Sequence, residues 1–145
     1  NTSIADGGVA IAKDGTVYAN LGVATEANPS GVVALNPDGS VKWTYSVEAS
    51  VQTTPMIDNR GYIHFIDANA TYYILKADGT LFSSLSLGES CKSTPVMDAE
   101  GNTFVVVTKD GALLLLCVTT RAASYATDAA WPMRGQNPQR TGLQK

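Results

Sequence analysis

The sequence predicts an all-β chain, a partial β-propeller of three four-stranded antiparallel blades built on repeats of about 40 residues, and three observations carry that prediction. The stretch Asn36–Phe65 returns as Lys76–Val105, with Asp38-Gly39 matched by Asp78-Gly79, Ser40-Val41 by Thr80-Leu81, Ser50 by Ser90, Thr53-Thr54-Pro55 by Ser93-Thr94-Pro95, Asp58 by Asp98 and Gly61 by Gly101. A fixed period of this length marks a repeat architecture. Between the turns, Val, Ile, Thr and Tyr dominate, and no segment sets apolar residues at i, i+3, i+4 and i+7, which excludes a helical repeat. Within each repeat the middle strands are apolar almost without alternation and the last one alternates, so the middle is buried on both faces and the rim is wetter. Stacked four-stranded sheets of that kind are propeller blades. A twelve-stranded sandwich fits the strand count but gives no reason for the sequence to repeat.

Taken in order, the first blade spans about residues 4–49, the second 50–89 and the third 90–128, followed by a closing tail, 129–145. In the first blade the strands read Val9–Ala12, Thr16–Leu21, Val32–Asn36 and Val41–Val47. Lys13-Asp14-Gly15 plays the part of Asn59-Arg60-Gly61 and Ala99-Glu100-Gly101. Six extra residues fall in the loop around Glu26–Ser30, which is rich in turn formers. Gly15, Gly61 and Gly101 mark the first joint of each blade, and Gly39 and Gly79, each after an aspartate (Asp38, Asp78), occupy hairpin positions that need positive φ. Pro55 and Pro95 recur at one register and are read as structural. Tyr62–Ile66, Phe104–Val107 and Leu113–Leu116 are the apolar middle strands, expected to be covered on both faces. In the third copy Val118-Thr119 stands where the others have Asp-Gly, and the forty-residue register makes Ala122–Thr127 its outer strand.

The 145 residues carry 44% apolar side chains, 16% charged ones and a formal charge of −3. That describes a globular chain without the basic footprint of a nucleic-acid binder. No apolar run reaches the length needed to span a bilayer, and the first residues have no signal-peptide pattern. Cys91 and Cys117 stand in no metal-like spacing, and lie too far apart in the predicted blade to pair, so both are expected as free thiols. Three blades do not close a ring, and Asn1 falls almost at a repeat boundary. The expectation is a C-terminal part of a longer propeller, whose open faces are covered by the remaining blades of a parent chain, by a protein partner, or by a second copy as a homodimer.

Two segments resemble a known family. Ala34-Leu35-Asn36-Pro37-Asp38-Gly39-Ser40-Val41-Lys42-Trp43 is similar to the repeat of the quinoprotein-like propellers, and the segment from Trp131-Pro132-Met133 to Thr141-Gly142 looks like a tail common in their bacterial secreted and surface members. Asn137 stands at or near the aspartate usual in that tail. The resemblance implies an extracytoplasmic bacterial protein in which Trp43 docks on a neighbouring blade; its equivalents here are Ser83 and Ala123. The superfamily contains quinone-dependent dehydrogenases, a periplasmic scaffold lipoprotein and many surface proteins without known chemistry, so it implies fold more than activity.

No constellation in the sequence points to catalysis, a cofactor or a metal. His64 is the only histidine, and its repeat equivalents Tyr18 and Phe104 make that register an aromatic packing position. Asp58 and Asp98 precede turns and are read as caps. Quinone chemistry needs an axial aspartate, calcium and, in many members, vicinal cysteines, and no Cys-Cys pair occurs. Asn1-Thr2-Ser3 and Asn69-Ala70-Thr71 match the glycosylation pattern without implying use of it. The reading is a non-catalytic interaction or scaffold module; the alternative is a fragment of a secreted enzyme whose active residues lie in other blades.

Overall fold

The computed structural model describes residues 8–122 and 124–134. Among them are twelve strands and no helix, in three antiparallel sheets of four. The first sheet is a meander of β1 (Ala10–Ile11), β2 (Val17–Asn20), β3 (Ser30–Leu35) and β4 (Val41–Val47), and the second repeats it with β5 (Met56–Ile57), β6 (Ile63–Ile66), β7 (Thr71–Leu75) and β8 (Leu81–Ser86). In the third, β9 (Ser90–Cys91) and β10 (Val96–Met97) pair with one edge of β11 (Asn102–Lys109), and β12 (Ala112–Thr119) pairs with the other.

Aspartates organise the joints. Asp38 Oδ1 accepts the Ser40 N–H at 2.9 Å, Asp78 accepts Thr80 N–H at 2.9 Å, and Asp98 accepts from Glu100 and Asn102 at 3.0 and 2.8 Å. These bonds satisfy the turn's own donors, which is why Asp recurs there. Gly15, Gly39, Gly61, Gly79 and Gly101 all have φ between 77° and 85°.

The repeated Thr/Ser-Thr-Pro motif also finds its reason. Pro95 has no N–H to give to a ladder, and the inner strand of the third sheet breaks between β9 and β10. Ser93 Oγ bridges the gap: it accepts the Val106 N–H and donates to the Val106 carbonyl, both at 3.0 Å. Thr53 Oγ1 makes the matching bond to Ile66 O at 2.9 Å in the second sheet.

The sheets stack face to face. Tyr18, Val32, Ala34 and Val47 of the first pack with Ile57, Ile63, Phe65 and Leu75 of the second. The other face of the second, Ile66, Tyr72 and Ile74, packs with Cys91, Val105 and Val107 of the third. Alternation along each strand supplies both faces. The steps from sheet to sheet share a bond, Val51 N–H to Gly22 O at 3.2 Å and Cys91 N–H to Ala68 O at 3.0 Å.

Two expectations fail in the third sheet. Neither Leu113–Leu116 nor Phe104–Val107 is covered on both faces: Leu113 is 76% exposed, Leu115 70% and Val106 37%, because no described residue lies over them on the side turned away from the second sheet. Ala122–Thr127 is not the outer strand. Ala126 N–H instead bonds to Ile57 O at 2.8 Å, Asn59 N–H to Ser124 O at 3.0 Å, Ile57 N–H to Pro132 O at 2.8 Å, and Trp131 exchanges both backbone bonds with Ile11. The segment therefore runs along the free edges of β5 and β1. The cause is a register change. Asp110 and Gly111 (φ 51° and 71°) close β11 onto β12 in a two-residue hairpin, so although His64 and Phe104 are forty apart, their partners Ile74 and Cys117 are forty-three apart. The residues at the Asp-Gly register are then Arg121 and Ala122. Arg121 takes φ 59° and the chain turns away from the sheet.

Candidate functional site

A chain of buried polar side chains lies between the second and third sheets. Asp58 caps the β5–β6 turn through the N–H groups of Arg60 and Tyr62, at 2.8 and 3.0 Å, and its Oδ2 also meets the Arg60 guanidinium and His64 Nε2. His64, on β6, reaches Asp58 at 3.0 Å with one ring nitrogen and the Tyr72 hydroxyl at 2.9 Å with the other. Tyr72, on β7, continues to Thr103 Oγ1 on β11 at 3.2 Å. The chain Asp58–His64–Tyr72–Thr103 thus spans the interface between two sheets.

Burial lowers the His64 pKa, against the pull of Asp58, so the ring is neutral. Burial pushes the Asp58 carboxyl upward, but hydrogen bonds from His64 and Arg60 together outweigh it and hold the group below the usual range. An ionised carboxylate only accepts, so His64 Nε2 carries the proton and Nδ1 accepts from Tyr72. Burial raises the Tyr72 hydroxyl far above its ordinary value. The order Asp–His–Tyr resembles an acid–base relay, yet Asp58 and His64 have no exposed side-chain surface. The network satisfies polar groups across an interface, which makes the aromatic-position reading of His64 incomplete: the side chain packs, and it also connects.

The other residues singled out in the sequence do not converge on one site. Asp38, Gly39, Asp78 and Gly79 lie at the β3–β4 and β7–β8 turns, and Gly15, Gly61 and Gly101 at the β1–β2, β5–β6 and β10–β11 turns. Pro55 and Pro95 are buried beside the inner strands. Trp43 docks on the next sheet: its Nε1 donates to Ala77 O at 3.0 Å, and its indole lies so close to Gly79 that a Cβ there would fall 2.7 Å from Cδ2. Trp131 bridges β1, while Ala123 and the tail from Gly135 onward, with Asn137, lie outside the described residues, as does Asn1-Thr2-Ser3. Cys91 is buried and Cys117 exposed, both free.

Among the described residues no three His, Cys, Asp or Glu side chains gather as metal ligands, and the two cysteines sit on different strands. No helix among them is long and apolar enough to cross a membrane.

One surface the sequence reading located only in general terms is the face of the third sheet turned away from the second. The pairs Val96–Phe104, Phe104–Cys117 and Val106–Leu115 place Val96, Phe104, Val106, Leu113, Leu115 and Cys117 on it. By register it is the same face that carries Tyr18 and Ala34 in the first sheet and His64 and Ile74 in the second. There it is covered by the following sheet. No protein-family model and no curated protein matches the chain.

Proposed function

We propose that this protein is a non-catalytic interaction or scaffold module, part of an extracytoplasmic β-propeller, whose third blade takes a further blade of the same type on its open face. The observation that carries the reading is the repeat equivalence of three faces, two of them covered by the next sheet and the third open, with Leu113 and Leu115 exposed. A contiguous apolar face of this kind marks an interaction surface. The docking of Trp43 onto the next sheet supports a blade-to-blade contact, as the likeness to quinoprotein-like propellers implies. The remaining blades of a parent chain or a partner protein provide the cover, and in isolation a second copy does so through the same face.

Sedimentation velocity of the purified protein at micromolar concentration, beside the double variant Leu113→Glu/Leu115→Glu, tests this. Reversible association that the variant loses, with its circular dichroism unchanged, is the expected result. A wild-type chain that stays monomeric and binds no apolar dye overturns the reading.

A further inference from the structure

In the first two sheets, β4 and β8 complete the meander by pairing with β3 and β7. The equivalent edge of β12 pairs with no strand among the described residues. β12 is eight residues long, and Ala112–Thr119 contains no charge and no proline. Natural edge strands are usually protected by one or the other.

A second observation points to the same place. Tyr72 and Ile74 of β7 share a cluster with Leu116 and Val118 of β12, so β8 projects one strand beyond β12 with no strand beneath it among the described residues. Phe82 and Leu85 on β8 are accordingly 49% and 54% exposed. Between β8 and the end of β12 lies an open cleft of about 300 Å³, lined by Phe82, Leu85, Val118 and Thr120 among others. The Thr120 hydroxyl there is buried with no hydrogen-bond partner among the described residues.

We propose that the free edge of β12 is a strand-acceptor site, which takes an extended segment of a partner protein, with apolar side chains at alternate positions, as the missing fourth strand of the third sheet. The added strand gains main-chain hydrogen bonds along β12 and sets alternate apolar side chains into the cleft beside Phe82 and Leu85. The chain's own candidate, Ala122–Thr127, is committed to the edge of β5 by the bonds of Ser124 and Ala126. A second copy fits poorly: antiparallel pairing of two β12 strands about a two-fold axis puts both second sheets on one side, where the projecting β8 strands collide. The inference stands on the strand edge and the cleft, and is independent of what covers the face of the third sheet.

The probe is a capped synthetic peptide with the sequence of residues 38–48, the fourth strand of the first sheet, in which Trp43, Tyr45 and Val47 share one face. A one-residue choice of register turns that face toward the cleft. Amide hydrogen exchange of the whole chain is followed by NMR with and without peptide. Saturating peptide is expected to slow alternate β12 amides about tenfold or more, as closing of a frayed edge does. The same peptide with Thr44→Pro is expected to have no effect, because proline breaks a ladder. Unchanged exchange, equal protection by the proline peptide, or β12 amides already protected without peptide each overturns the proposal; the last assigns the edge to this chain or its second copy.

Discussion

His64 holds both ring nitrogens in hydrogen bonds while buried and neutral, and this gives the fold a pH dependence that its carboxylates alone do not. The unfolded histidine takes a proton near pH 6.5, whereas the folded one has a lowered pKa. Stability is therefore full above pH 6.5 and declines as the pH falls through the folded value. The lowered carboxyl of Asp58 adds a loss only in stronger acid, below its ordinary 3.8. Urea unfolding between about pH 8 and pH 5 is expected to show the decline, and His64→Phe to flatten it; a wild-type midpoint constant over that range contradicts the neutral assignment. At Gly39 and Gly79 the backbone is the same, φ 85°, but the surroundings differ. Gly39 has open space and Gly79 has Trp43. Alanine at either costs on the order of 1 kcal/mol for the left-handed backbone, and Gly79→Ala is expected to cost measurably more. Equal denaturant midpoints for the two variants remove the Trp43 contact from the account. The turn glycines and aspartates were legible in the sequence because their chemistry is local. The network beyond His64 was not: Tyr72, and Thr103 bonded to it, come from other strands, and the only sign was a polar ring at a register otherwise aromatic.

At the level of elements, the first two sheets follow the forty-residue register and the third departs from it after β11. Asp110-Gly111 is itself a hairpin signal, but it lies where the other repeats have a longer loop, and the resulting three-residue offset moves every later residue. That is why Ala122–Thr127 was misplaced as an outer strand. The absence of Asp-Gly near Val118-Thr119 was the visible warning. The open face of the third sheet also explains the contrast between the cysteines: Cys117 is exposed on it, and Cys91 is buried with its thiol 3.4 Å from both Ser93 O and Val106 O. A maleimide reagent is expected to label one site in the native protein and a second only after unfolding. Two sites labelled at equal rates in the native state, or none in the denatured state, contradict this placement.

The described residues form a stack in which the first and second sheets each offer one face forward to the next. The apolar pattern of Leu113–Leu116 could not distinguish a strand covered by its own chain from one that awaits cover, since hydrophobicity records what is to be buried and not by what. That distinction is the central claim, and NMR of methyl groups with a soluble paramagnetic agent measures it. In dilute protein the methyls of Leu113 and Leu115 are expected to broaden strongly, while those of Ile66 and Ile74, on the covered face of the second sheet, stay sharp. Broadening of Leu113 and Leu115 is then expected to fade as the protein is concentrated and copies cover one another. Leu113 and Leu115 as protected as Ile66 and Ile74 at every concentration would contradict the open face, and with it the stacked module.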